Sequence, residues 1–276
     1  MDSSWEHPEI TEVIRRAIEE DVGSGDVTTD ACVPADAKSR GYFLAREPMV
    51  LAGAELLPQI YDQEQLDISH KSGDFVEAQS VIARVAGSTR RLLTIERTAL
   101  NFLQRLSGIA THTRAFVNAV HGTDCQVFDT RKTTPGLRRL EKLAVKCGGG
   151  TNHRLGLFDA VLIKNNHITA AGGVRPALEK ARAQGMPVEI EIHNWKDLDE
   201  ALAAGAGHVL LDNFTLDEVR QAIRRINGRA KVEVSGGITL QNVRAFAETG
   251  ADYLSSGALT HSFRSVDIAF RLENHR

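Results

Sequence analysis

Aromatic residues are scarce in this chain, at 5% of its 276 residues. With a net charge of -3 and a pI near 6.4, that scarcity argues against a nucleic-acid surface, which needs basic stripes interleaved with stacking rings. Cysteine is rarer still. Cys32, Cys125 and Cys147 show no CxxC or CxxH spacing, so neither a disulfide framework nor a structural zinc site is suggested and reduced thiols are expected. No apolar run approaches the roughly 18 residues that a membrane span requires. The opening MDSSWEHPEI lacks the basic and apolar regions of a signal peptide, and a cytoplasmic location without membrane association is expected. What remains is a chain 42% hydrophobic and 25% charged, enough for one or two ordinary globular cores.

Against this even background one stretch stands out. From Asp129 to His167 the chain gathers eight Lys and Arg against three Asp and Glu, around glycine-rich turns. A local basic cluster in a mildly acidic protein points to a small anionic partner, a phosphate or carboxylate on a metabolite.

From about Gln126 onward, the apolar runs QVFDT, AVLIKN, VEIEIH, HVLLDN, KVEVSG and YLSSG each precede a polar turn and an amphipathic segment. This is the pattern of repeated βα units with parallel strands. Helices are expected over Leu137–Lys146, Leu198–Ala204, Leu216–Ile226 and Leu240–Thr249, with Thr215 and Glu218 as a capping box, Thr239 as a further cap, and Gly228 and Gly250 as stops. The strand-end markers Arg131, Lys164, Glu191, Asp212, Ser235 and Ser256 lie about 33, 27, 21, 23 and 21 residues apart, one βα unit each. Six such units fall short of the eight of a closed barrel. The expected fold class is α/β, an incomplete (open) α/β barrel with a smaller α+β N-terminal domain, a doubly wound sheet being the alternative. The domains are expected at 1–112, completed by 262–276, and at 113–261. In the first part, Arg90–Val120 reads as a long helix after short strands such as Gly41–Ala45 and Ser80–Val85, and SGDFVEAQSVIARVAG reads as a hairpin.

The runs DTRKT, PGLR, CGGGTNHRLGL and IKNNHI, with ERTALNFLQRLSGIATHT before them and SGGI and SSGALTHS after them, resemble quinolinate phosphoribosyltransferase. The resemblance extends from about Glu20 to about Ser262. It implies transfer of phosphoribosyl from phosphoribosyl pyrophosphate to quinolinate with decarboxylation, giving nicotinate mononucleotide, pyrophosphate and carbon dioxide in NAD biosynthesis. It also implies a two-domain subunit and a homodimer. By the same resemblance Thr130, Arg131, Lys132, His153, Arg154 and Lys164 line the substrate site, and Arg97 reaches it from the other subunit.

The residue types suit that chemistry. A desolvated dicarboxylate needs several cations, and Arg forks fix its orientation where Lys supplies a movable point charge. Arg138, Arg139, Lys142 and Lys146 spread around a helix and read as solvated charges. Ser235, Gly236 and Gly237, and then Ser256, Gly257 and Ala258, follow late strands, where barrels bind phosphate through backbone amides. Gly148, Gly149 and Gly150 read equally as an anion loop or a helix stop. Glu191 and Asp212 end consecutive strands and suit ribose hydroxyls, positive charge at the anomeric carbon, or Mg²⁺. Glu189 shares a strand face with Glu191. Lys132, Lys164, Glu191 and Asp212 form the expected catalytic set. His193 and Asn165 stand where the family more often has acidic residues, and His167 is given no role. Readings kept open are a relative with another acceptor, an idle binding protein, a structural assembly protein and a Schiff-base aldolase.

Overall fold

The computed structural model describes residues 4–273. Its chain divides into two units, one of Met1–Arg114, Thr133–Gly149 and Ser262–Arg276, the other of Ala115–Lys132 and Gly150–His261. No helix among the described residues is long and apolar enough to cross a membrane.

The first unit contains strands β1 (Lys38–Ala45), β2 (Met49–Val50), β3 (Gln65–Ile68), β4 (Phe75–Val76) and β5 (Val81–Ser88). β1 lies between β5 and the strand Ile268–Leu272 in a four-stranded antiparallel sheet that β3 completes. The expected hairpin does not form. β4 pairs with β2, whereas β5 pairs with β1 and β3. Alternation marked both strands correctly, but it carries no information on which partner takes each edge.

The long helix runs Thr89–Val120. Within the first unit it buries Leu92, Ile95, Ala99, Leu103, Leu106 and Ala110, one stripe at helical spacing. Each large side chain so buried contributes about 1.5–3 kcal/mol before entropy is counted. Thr133–Gly149 groups with this unit rather than with 113–261. Its helix, Arg138–Cys147, explains why: Leu140, Leu143 and Ala144 are buried, Arg105 holds Glu141 at 2.6 Å, and Arg139 meets Glu9 at 3.0 Å. Lys142 corrects the expectation of a solvated face, being only 2% exposed. Gly148 closes the helix, donating its N–H to Ala144, and Gly149 has φ of 90°. Helix termination accounts for these two glycines.

The second unit holds β6 (Gln126–Phe128), β7 (Val161–Ile163), β8 (Val188–Ile192), β9 (His208–Asp212), β10 (Lys231–Ser235) and β11 (Tyr253–Ser255). All are parallel, in the order β6-β11-β10-β9-β8-β7. The first strand therefore pairs with the last. No pairing joins β6 to β7 among the described residues, and only a single bridge from Phe128 to Thr151 lies along that edge. This is an α/β barrel left open between its first two strands.

Helix Leu216–Ile226 begins with the expected capping box, Thr215 Oγ1 accepting from Glu218 N–H while Glu218 accepts from Thr215 N–H at 2.8 Å. The Leu240–Thr249 helix is shorter than expected, Val243–Ala247. Thr239 does not cap it: its N–H donates to Asn242 Oδ1 at 2.8 Å and a turn forms first.

Candidate functional site

The carboxyl ends of the six parallel strands and the loops after them carry most of the expected site residues, while His153 and Arg154 lie between β6 and β7 and Arg97 lies on the long helix. Glu191 on β8 is the hub. Its Oε2 accepts from Lys164 Nζ at 2.8 Å, and its Oε1 lies 3.0 Å from His193 Nε2. The other nitrogen of His193 is 3.7 Å from Asp212 Oδ2, so this imidazole sits between two carboxylates. Burial first, and then the charge of Glu191, raise the Asp212 carboxyl above its ordinary range, while His193, Lys164 and Lys132 oppose the shift. Five ionisable groups from β6, β7, β8 and β9 therefore share one electrostatic neighbourhood.

A second group is cationic. Buried Asp129 accepts the His153 N–H at 2.9 Å and the Asn152 Nδ2 donor at 2.6 Å, which clamps the segment after Thr151 beside β6. Arg154 follows directly, its Nη1 donating to Ala160 O at 3.1 Å. Burial, and then the nearby charge of Arg131, push the Arg154 guanidinium below its ordinary range. Two guanidiniums held close enough to repel are relieved by an anion.

The glycine turns close the third side. Gly236 has φ of 91°, and a Cβ there would lie 2.2 Å from Asn213 Oδ1, so only glycine fits. Gly257 is as constrained, since a Cβ would meet Lys132 Cδ at 2.9 Å and His261 Nε2 at 2.8 Å. Ser256 is turned inward: its hydroxyl donates to Ile238 O at 2.8 Å, tying the two turns together. Ala258 N–H donates to Ser256 Oγ at 3.3 Å. Thr130 Oγ1 accepts from Lys132 N–H at 3.0 Å, and Lys132 O accepts from Thr260 Oγ1 at 2.7 Å, so the strand-end loop is braced from both sides.

His167 gains a role. Its Nδ1 accepts the Lys164 N–H at 2.9 Å and caps helix Asn165–Ala171, with Asn165 as the first helical residue. Arg97 is exposed and belongs to the first unit.

Deeper in the second unit lies a ring not foreseen from the sequence. His153 Nε2 is 2.9 Å from Glu189 Oε2, and His208 Nε2 is 3.4 Å from Glu189 Oε1. Glu233 Oε2 is 3.7 Å from both imidazoles. Glu233 is fully buried, and burial and the Glu189 charge push its carboxyl up to about 8. Burial also penalises the Glu189 charge, but the His153 hydrogen bond and His208 outweigh it and leave that carboxyl below its ordinary range. Strand alternation sets Glu233 on the face of Ser235 and His208 on that of Asp212, a signal in KVEVS and HVLLD that could have found them. Nothing local placed them together.

Two family models cover almost all of this chain. The C-terminal domain of quinolinate phosphoribosyl transferase matches residues 109–271 and the N-terminal domain of the same enzyme matches 26–107. The chain belongs to the quinolinate phosphoribosyl transferase family. A relative from Mycobacterium leprae named nicotinate-nucleotide pyrophosphorylase [carboxylating] is 43% identical over 99% of this chain and 100% of its own length. One from Bacillus subtilis, with the same name marked probable, is 42% identical over 95% and 93%. The solved nicotinate-nucleotide pyrophosphorylase from Francisella tularensis superposes with a TM-score of 0.91 at 38% identity, over 96% of each chain. Membership in the quinolinate phosphoribosyl transferase family agrees with the open barrel and the separate antiparallel sheet described above.

Proposed function

We propose that this chain joins phosphoribosyl pyrophosphate to quinolinate, releasing pyrophosphate and carbon dioxide and forming nicotinate mononucleotide, as a pentosyltransferase of NAD biosynthesis. The observation that carries this reading is that one unit holds both a guanidinium pair, Arg131 and Arg154, and, at the carboxyl ends of adjacent strands β8 and β9, a carboxylate pair, Glu191 and Asp212.

The two arginines, with Lys132 and Lys164, receive the dicarboxylate and align its ring nitrogen. Transfer needs the nitrogen lone pair to form a bond to the anomeric carbon as the bond to pyrophosphate breaks. Glu191 and Asp212 bind ribose hydroxyls and stabilise the positive charge that develops there. The quaternised ring then draws electrons. The bond to the adjacent carboxylate breaks, its electron pair stays on the ring carbon, carbon dioxide leaves, and that carbon takes up a proton. Alignment and electrostatics do the work without a covalent enzyme nucleophile. The turns at Ser235, Gly236 and Gly237 and at Gly257 and Ala258 hold the 5′-phosphate through backbone amides; Ser256 braces them.

Glu191 and Asp212 also fit Mg²⁺. They offer hard oxygen donors close together, and burial and the Glu191 charge raise the Asp212 carboxyl, a shift that a divalent cation would oppose. Bound there, Mg²⁺ would neutralise the leaving pyrophosphate. Three free cysteines suit a reducing compartment, and we place the enzyme in the cytoplasm.

The test supplies purified protein with quinolinate, phosphoribosyl pyrophosphate and Mg²⁺, with nicotinate in parallel. Equal release of pyrophosphate and carbon dioxide with quinolinate alone is expected. Turnover of nicotinate instead moves the reading to a relative with another acceptor.

The active form we propose is a homodimer in which exposed Arg97 completes the partner's site. Arg97→Ala and Arg131→Ala proteins should each be nearly inactive. Mixed in equal amounts under exchange, half the dimers become hybrids, each with one intact site, so about a quarter of full activity should return. No recovery after demonstrated exchange rules out the shared site.

A further inference from the structure

Glu189 has no part in the transfer outlined above, yet its carboxylate, 5% exposed, is the centre of the buried ring. The geometry around His153 is restrictive. Its Nδ1 lies 2.8 Å from the backbone N–H of Arg154, which can only donate. A neutral imidazole carries one N–H and one lone pair. The lone pair must therefore be on Nδ1 and the proton on Nε2, which points at Glu189 Oε2, 2.9 Å away. Both polar ends of the ring are engaged inside the protein. His153 acts as a strut between a buried carboxylate on β8 and the backbone of the residue that carries the guanidinium.

The remaining contacts support this. Asp129 holds the His153 backbone N–H at 2.9 Å, and Ala160 O accepts from the Arg154 side chain. Removing the Glu189 acceptor frees the imidazole to turn over, and Nδ1 then no longer receives the Arg154 N–H. A misplacement of about 1 Å in such a group costs up to roughly 10²-fold.

We propose that Glu189 is a positioning residue for the acceptor site: by holding His153 with its proton on Nε2, it fixes the turn that aims Arg154 at an acceptor carboxylate. This rests on the function proposed above. It predicts an effect on one substrate. His153 need not touch quinolinate to matter to its binding.

Two variants and one spectrum test it. Glu189→Met removes both oxygens at similar length, and Glu189→Gln keeps an acceptor. In Glu189→Met, KM for quinolinate should rise about tenfold, the loss of one hydrogen bond to a charged group, while KM for phosphoribosyl pyrophosphate stays within about twofold. Glu189→Gln should restore most of the quinolinate affinity. Equal rises for both substrates, no rise for quinolinate, or a Gln variant as impaired as Met overturns the role. Nitrogen NMR of the wild-type protein, with His153 assigned by its Asn variant, should find the proton on Nε2; a proton on Nδ1 overturns it even if Glu189→Met fails to fold. Stoichiometric zinc in the purified protein would make the ring a metal centre and also overturn it. Wild-type silence toward quinolinate overturns the proposed function, and this role with it; normal turnover with unchanged constants in Glu189→Met overturns the role alone.

Discussion

Asp212→Asn should lower kcat by about 10²–10³-fold, the usual cost of losing one group that stabilises transition-state charge, with KM for quinolinate almost unchanged. The substitution removes charge and little else. Asn213 Nδ2 now donates to Asp212 Oδ2 at 2.8 Å, and an amide oxygen can accept the same bond. Asp212 belongs to the carboxylate group around His193, whereas quinolinate is assigned to the arginine group, so the two parameters should separate. Steady-state kinetics with each substrate varied in turn will check this. A large rise in the quinolinate constant with kcat preserved contradicts the division of labour between the two groups.

The second large effect is on stability. Glu233 titrates at an ordinary 4.5 when unfolded and at about 8 in the fold, because it is buried beside the Glu189 charge. Below the lower value both states hold the proton and nothing is lost. Between the two, the folded protein keeps a proton that the unfolded chain releases, so stability falls as pH rises, by about 1.4 kcal/mol per pH unit. Glu233→Gln carries an amide where the acid carries its hydroxyl and does not titrate. At pH 7 it should be more stable than wild type by on the order of 2–4 kcal/mol, with the difference shrinking toward pH 5. Urea midpoints at pH 5 and pH 8 measure it. An equal difference at both, or a less stable variant at pH 8, shows that Glu233 is ionised in the fold.

The repeating units of the second half were legible because each parallel strand is a short apolar run and each marker residue sits where such a strand ends. The Thr215 and Glu218 box was readable for a similar reason, its partners lying three residues apart. What escaped depends on distance in sequence. Whether β4 pairs with β5 or with β2 is decided by edges that local alternation does not describe. Lys142 looked solvated because the pattern around it is charged, yet it is packed away. The site divided along the same line. Glu191 and Asp212 announced themselves as strand ends, whereas the ring of His153, Glu189, His208 and Glu233 draws one residue from each of four separate segments. His193 read as a departure from the family and became a bridge between carboxylates only in three dimensions.

The sheet of the first unit has an order-of-synthesis consequence. β1 precedes the barrel strands in the chain, but one of its neighbours, Ile268–Leu272, follows all of them. On the ribosome the N-terminal sheet must wait, with the bonding edge of Gly41–Ala45 unpaired, until the barrel strands have been translated. A chain that stops after the barrel leaves that edge permanently open to another strand.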